Sequence, residues 1–260
     1  MGKMVLISSV AKGNGAKHIA ANLAQETAKK FEKASENNKV LLIDFDLFNP
    51  VLYNQLLQGS SKDEVKNINT GIDTVIEKKE LNLLTDEGFV NSCIKINNGI
   101  KNPIYLLRGT NYPGRYKIYQ REDIENILYF ARNNFDHIFV VADSVHNNAG
   151  FTYSLTYANQ MILVAKNNFT NLMRLTYVTS LIAQYYSYSS PLKLIYNYGY
   201  NEKCDINDWL LNQEFNVEFL GVLEYEPEAM DNQNIFKKNF FAKKANKSIY
   251  KTIVDKYISQ

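Results

Sequence analysis

Cysteine, histidine and long apolar runs are all scarce in this sequence. Cys93 and Cys204 are the only cysteines, and no metal-ligand spacing surrounds them, so a disulfide framework is not indicated. The three histidines are too scattered to suggest a metal cage. No stretch approaches the roughly 18 apolar residues of a membrane span, and the first residues lead into an apolar strand instead of a signal peptide. These absences predict a cytoplasmic protein.

An excess of charge of one sign is also missing. The 29 basic and 27 acidic residues leave a formal net charge of +2, which gives no general attraction to nucleic acid or to an anionic membrane. The 18 tyrosines and 14 phenylalanines are scattered and define no stacking platform for single-stranded nucleic acid. With 45% hydrophobic residues, the 260-residue chain can bury a large core, and we expect one domain spanning residues 1–260.

Short apolar segments alternate with helical patterns along the chain. Seven segments have the length and composition of buried strands: 5–7, 40–43, 104–107, 138–141, 161–164, 192–196 and 219–223. Helices are predicted at 19–33, 122–133, 168–186 and 71–80, the last within the least regular region, 58–103. This alternation predicts a doubly wound α/β domain, with a mostly parallel sheet of about seven strands and helices on both faces.

The loop after the first strand contains the residues best suited to bind a phosphate. It reads Lys12-Gly13-Asn14-Gly15-Ala16-Lys17 and leads directly into a helix. In such a loop, backbone N–H groups and the helix N-terminus attract an anion, and a lysine adds a full positive charge. The alternative is an ordinary strand–helix turn that happens to contain two glycines.

Six segments in sequence order resemble motifs of the MinD/ParA family of P-loop NTPases, which belong to the SIMIBI class. The loop resembles the deviant Walker A motif K-G-G-x-G-K-[ST], and its two lysines stand five residues apart, as in the family. The further matches are A-A-N-L-A at 20–24, the D-x-D strand end at 44–46 with Pro50 following, the third strand at 104–110, a Walker B-like segment at 135–143 and L-G-V-L-E-Y-E-P at 220–227.

The resemblance implies roles for the phosphate loop and the residues near it. Lys17 would contact the β- and γ-phosphates of ATP or ADP, together with Gly13, Asn14, Gly15, Ala16 and His18 around it. Lys12 would reach across a homodimer to the nucleotide of the partner. Asp46 would position or activate the attacking water.

Other positions are implied to hold the metal and the base. Asp143 and Asp44 would bind Mg²⁺ directly or through water, Asn197 would read adenine, and Pro227 would pack near the base. Each has a plainer alternative, since the aspartates could cap strand ends and Asn197 could be a turn residue.

Three departures from the family motif bear on hydrolysis. His18 stands where the Mg²⁺-binding Ser or Thr is expected, and imidazole is a poor ligand for this hard ion. Ala16 replaces a glycine, which predicts a methyl group close to the phosphate. Asn14 replaces another glycine, although asparagine tolerates a positive φ better than most residues. Because phosphoryl transfer relies on the metal, hydrolysis should suffer more than binding.

Lysines and aromatic residues are mixed in the segment 236–247, which contains five lysines. MinD proteins end in an amphipathic membrane helix, so this stretch is the one place where contact with the inner face of a membrane is conceivable. The residues after it, at 249, 253, 254, 257 and 258, have helical spacing that favours packing on the core.

Two functions follow from the resemblance. The first is a degenerate nucleotide-binding protein that scaffolds or localises a larger machine, such as a pilus or secretion apparatus, with weak or absent ATP hydrolysis and with protein partners. Atypical TadZ/CpaE-like members are the nearest precedent. The alternative is an active ATPase that cycles between monomer and ATP-bound dimer in DNA partitioning, division-site placement or apparatus positioning. His18 favours the scaffold. Phosphoryl transfer to a small metabolite is a distant third.

Overall fold

A computed structural model describes most of the chain, in nine segments. These are residues 1–56, 69–96, 101–112, 119–142, 149–166, 168–183, 192–197, 217–226 and 244–258.

One eight-stranded sheet organises the described residues. Its strands are β1 Lys3–Ser9, β2 Val40–Asp44, β3 Ile94–Ile96, β4 Ile104–Leu107, β5 His137–Ala142, β6 Gln160–Lys166, β7 Leu192–Asn197 and β8 Val217–Leu223. They lie in the order β3-β4-β2-β5-β1-β6-β7-β8, and every neighbouring pair is parallel except β3 with β4. The predicted doubly wound α/β fold is confirmed, with eight strands instead of about seven.

Helices cover both faces of this sheet. They are α1 Ala16–Lys33, α2 Leu52–Leu56, α3 Ile72–Glu80, α4 Asp86–Val90, α5 Arg121–Asn134, α6 Ala149–Tyr157, α7 Phe169–Ala183 and α8 Lys244–Ile253, followed by a π-helical turn, Val254–Ile258. The four helices predicted from the sequence correspond to α1, α3, α5 and α7 within a few residues at each end. The pattern did not reveal α2, α4 and α6, which have five to nine residues each.

The core consists of two apolar layers, one on each face of the sheet. Alternate residues of β1 enter different layers, because side chains along a strand point to opposite faces. Met4 and Leu6 pack with residues of α5 and α6, whereas Val5 and Ile7 pack with residues of α1 and α8. The central strands are therefore buried on both faces, as their continuous apolar runs predict.

The C-terminal helix packs on the core. Ile253, Val254 and Ile258 are buried in the layer that also contains α1, and Ile249 and Tyr257 are partly buried against it, as their helical spacing favoured. Tyr250 is buried there too. Residues 236–243 lie outside the described residues. Across the described segments, we find no helix with the length and apolar content needed to cross a bilayer.

Candidate functional site

The phosphate loop lies at the carboxyl edge of the sheet, near its centre. It connects β1 to α1, and β1 is flanked by β5 and β6. The ends of β2 and β7 lie at the same edge and bring Asp44 and Asn197 there. Ligands of doubly wound folds bind beyond the carboxyl ends of the strands, so this edge is where chemistry is expected.

Two glycines shape the loop. Gly13 and Gly15 have φ angles of +83° and +97°, a left-handed conformation that side chains disfavour. A Cβ atom at Gly13 would meet nothing within 4 Å, whereas one at Gly15 would lie 2.5 Å from Asn197 Nδ2. Gly13 therefore faces open space and Gly15 is closely packed. Asn14 does not have a positive φ, so its tolerance of that conformation is not used here.

The start of α1 suits an anion. Gly15 is the N-cap residue, and a glycine has no side chain that could cap the helix. The first N–H groups of a helix lack partners within the helix and carry partial positive charge. Ala16 is buried in the core layer under α1, so its methyl group is packed away from the open side of the loop, contrary to the conflict expected from the sequence. The backbone therefore fits a phosphate group.

Lys17 and Asp46 form an ion pair at this edge. The Lys17 ammonium donates to Asp46 Oδ2 and, at 2.7 Å, to the carbonyl oxygen of Asn49. The other carboxylate oxygen of Asp46 accepts from the backbone N–H of Asn49 at 3.0 Å. The two side chains are only 11% and 5% exposed. The structure thus brings together the two groups implied to hold the phosphate and the water, and it pairs them with each other.

Asp44 is fully buried at the end of β2. Its carboxyl oxygens accept hydrogen bonds from the backbone N–H groups of Asp46 and Leu52, both at 3.1 Å. Burial raises the pKa of this carboxyl from 3.8 to about 7, an effect that the nearby charge of Lys17 opposes and that of Asp46 reinforces. Asp44 therefore holds the start of the β2–α2 connection and is only partly ionised at neutral pH.

His18 lies buried in the first turn of α1. Burial lowers the pKa of its imidazole from 6.5 to about 4, so the ring is neutral at pH 7. Within the described segments, no three His, Cys, Asp or Glu side chains lie close enough to hold a metal ion. Mg²⁺ commonly takes one or two carboxylates together with phosphate oxygens and water, and Asp44 and Asp46 are two carboxylates that the described residues place at this edge. Asp143 and Pro227, implied to contact metal and base, lie outside the described residues.

A network of amides holds the loop from beneath. Asn14 Nδ2 donates to the carbonyl oxygen of Val164 at 3.3 Å and to Asn171 Oδ1 at 2.6 Å. Asn197 Nδ2 donates to the carbonyl oxygen of Asn14 at 2.8 Å, which places Asn197 against the loop backbone. Sequence reasoning missed the contribution of Asn171, which lies 157 residues from Asn14 along the chain. Its only sequence signal is a cluster of asparagines just after β6.

Solved structures share this fold, although neither protein-family models nor the sequences of curated proteins match the chain. A ParA family ATPase from Chlorobium tepidum superposes with a TM-score of 0.73 and 17% identity, over 98% of this chain and 96% of that one. The septum site-determining protein MinD from Pyrococcus horikoshii, complexed with Mg-ADP, superposes with a TM-score of 0.71 and 16% identity. The match covers 100% of this chain and 98% of that one. A putative plasmid partition protein from Borrelia burgdorferi, bound to AMPPNP, superposes with a TM-score of 0.68 and 16% identity. The match covers 98% of this chain and 97% of that one. The chain therefore has the fold of the MinD/ParA P-loop ATPases.

Proposed function

We propose that this protein binds ATP or ADP at the phosphate loop and acts as a localisation or assembly scaffold for a larger machine, with weak or absent ATP hydrolysis. The observation that carries the proposal is a difference between the backbone and the side chains of the site. The backbone of the loop suits a phosphate, whereas Asp46 is paired with Lys17, Asp44 accepts two backbone hydrogen bonds, and His18 replaces a Ser or Thr.

Several features support nucleotide binding. Lys12 and Gly13 are exposed at the loop, and Lys17 lies beside it in the first turn of α1. The Borrelia burgdorferi partition protein with this fold is bound to AMPPNP, and the Pyrococcus horikoshii MinD is complexed with Mg-ADP. In this proposal the phosphates contact the backbone of residues 13–18, while Asn197 and Pro227 lie on the side of the base.

Other features argue against efficient hydrolysis. The neutral imidazole of His18 replaces the hydroxyl that would bind Mg²⁺, and Mg²⁺ prefers oxygen ligands. Asp46, proposed to position the water, is neutralised by Lys17. Asp44, the second proposed metal ligand, is only partly ionised and already accepts two backbone hydrogen bonds. If Mg²⁺ binds, it would rely on Asp143 and on the phosphates themselves.

The scaffold would act as a homodimer with further protein partners in the cytoplasm. Lys12 is exposed at the loop, where a lysine could reach the nucleotide of a second copy. A contact with the inner face of a membrane would have to come from residues 236–247. The pilus or secretion apparatus remains the kind of machine that this reading favours.

An active ATPase that cycles between monomer and dimer is the second candidate. One observation favours it: Asp46 lies beside the loop lysine, where a carboxylate could act on a water molecule once a phosphate takes over Lys17. This second function requires a nucleotide to displace Asp46 from Lys17, so that the Asp46 carboxylate can contact a water molecule.

Calorimetric titration with ATP and ADP tests the binding half of the proposal. We expect Lys17→Ala to abolish binding, because the phosphate loses its main cation. Lys33→Ala is the matched control, since Lys33 is exposed at the opposite end of the same helix and should leave binding unchanged. Light scattering in parallel should give the mass of a dimer. Equal affinities for both variants and the wild type would contradict the proposal.

A further inference from the structure

The amide network beneath the loop points to a role for Asn14 that no phosphate contact explains. We infer that Asn14 is a positioning residue: its side chain fastens the phosphate loop to the end of β6 and to the first turn of α7. The loop thereby keeps its anion-binding shape before any ligand arrives. The effect of Asn14 on ligand binding rests on the proposed function, whereas the attachment of the loop by Asn14 does not depend on it.

Both donors of the Asn14 amide are used away from the open side of the loop. Asn14 is 2% exposed, and its amide nitrogen donates to Val164 O and to Asn171 Oδ1. Val164 O also accepts from the backbone N–H of Val10 at 2.9 Å, so one carbonyl of β6 binds the loop both at Val10 and at Asn14. An amide nitrogen has two hydrogens, and the two bonds account for both. The side chain is therefore committed to the scaffold.

The acceptor on α7 is itself held in orientation. The backbone N–H and the side-chain Nδ2 of Asn171 both donate to Asn168 Oδ1, at 2.9 and 2.8 Å. Because the amide nitrogen of Asn171 faces the oxygen of Asn168, its own oxygen is directed to Asn14. Asn168 thus caps the first turn of α7 and also fixes the amide that receives the loop.

A third element, β7, completes the attachment. Asn197, at the end of β7, donates to the backbone carbonyl of Asn14 at 2.8 Å, and Gly15 packs closely against the same amide. The loop is thus held by neutral groups from β6, α7 and β7, while Lys12 and Gly13 remain on its exposed side.

The asparagine stands where the resembling motif has a glycine, which could make none of these side-chain contacts. An ordered loop spares the ligand the entropic cost of ordering it, so attachment through Asn14 should strengthen binding of the phosphates. It also couples the loop to the first turn of α7, since a displacement of either breaks the hydrogen bond between Asn14 and Asn171.

Hydrogen exchange of the nucleotide-free protein tests the inference directly. Asn171→Ala removes the acceptor on α7 without altering the loop or any group that faces a phosphate. We expect the amides of residues 11–16 to exchange about tenfold faster, as loss of roughly one hydrogen bond would allow. Thr170→Ala is the matched control, because Thr170 is exposed on the same turn. Exchange in α5 should be unchanged in both variants. Unchanged exchange of the loop in Asn171→Ala would overturn the inference.

A double-mutant cycle on ADP affinity supplies the second test. Asn171→Ala should weaken binding by about tenfold, and Asn14→Ala by at least as much because it also loses the bond to Val164 O. The double variant should be no weaker than Asn14→Ala alone, because the Asn171 contact is already absent from that variant. Losses that multiply to about a hundredfold would overturn the inference. If the wild type does not bind ADP, the proposed function fails, whereas the exchange experiment still decides whether Asn14 holds the loop.

Discussion

The ion pair between Lys17 and Asp46 is the residue-scale feature with the clearest consequence for a ligand. Both side chains are largely buried, so water screens their attraction weakly. A phosphate that approaches Lys17 must displace Asp46 or accept its negative charge nearby. The carboxylate therefore competes with the proposed ligand for the same cation.

Replacing Asp46 by asparagine should strengthen nucleotide binding. The change removes the competing charge and leaves Lys17 free for the phosphates, so we expect an affinity gain of about tenfold, equivalent to roughly 1.4 kcal/mol. Titration calorimetry with ADP measures the gain. Asp255→Asn is a suitable control, because Asp255 pairs with Lys30 on the surface far along α1. A loss of affinity in Asp46→Asn would show that the carboxylate assists binding instead.

Asp44 should make the stability of the fold depend on pH. Its pKa is raised from 3.8 to about 7 in the folded protein, so the folded state favours the protonated form. Its contribution to stability is therefore full below pH 4 and declines as the pH rises towards 7. The total change is on the order of 4 kcal/mol before solvent relaxation reduces it.

The comparison with Asp44→Asn isolates this effect. His18 and His137 have pKa values lowered to about 4 by burial, so they destabilise the fold as the pH falls from 6.5 to 4, in the opposite direction. Urea unfolding of both proteins between pH 4 and 8 cancels the histidine contribution. We expect the wild type to lose stability relative to Asp44→Asn as the pH rises. A difference that stays constant with pH would contradict the raised pKa.

At the scale of elements, the connection from β1 to α1 depends on two glycines in different surroundings. Both have left-handed backbones, but only Gly15 packs against another side chain, that of Asn197. The α1 helix must begin at this point for its first N–H groups to face the open side of the loop. The left-handed backbone of Gly15 stands at the N-cap, directly before the first residue of the helix.

Alanine substitutions at the two glycines should differ in cost. Gly13→Ala has only the strain of a left-handed alanine, about 1 kcal/mol. Gly15→Ala adds a clash with Asn197, and we expect a total loss of about 2–3 kcal/mol in the free energy of unfolding. Denaturant unfolding compares the two variants directly. Equal losses would show that Asn197 moves aside at no cost.

The same scale separates what the sequence predicts from what it hides. Buried parallel strands such as β2 and β5 are continuous apolar runs, so the sequence locates them well. The edge strand β3 has three residues and α2 has five, which is too short for a periodic pattern. The lysines and aspartates of the site follow strand ends, where the fold predicts a ligand. The hydrogen bond between Asn14 and Asn171 joins segments that follow two neighbouring strands, β1 and β6, and lie far apart in sequence, so no local pattern predicts it.

At the scale of the molecule, the phosphate loop is supported from three directions by a buried sheet. Apolar layers cover both faces of β1, and β6 and β7 supply the carbonyl and amide that hold the loop. The C-terminal helix closes the layer that contains α1. The fold therefore holds the phosphate loop through the neighbouring strands and the helix that follows it.

The most direct test of this account measures phosphate release from ATP, with and without Mg²⁺, on protein that has been shown to bind the nucleotide. We expect saturable binding in the wild type with a turnover no higher than that of Lys17→Ala. Magnesium-dependent turnover that disappears in Asp46→Asn would contradict the account and identify the protein as a working ATPase.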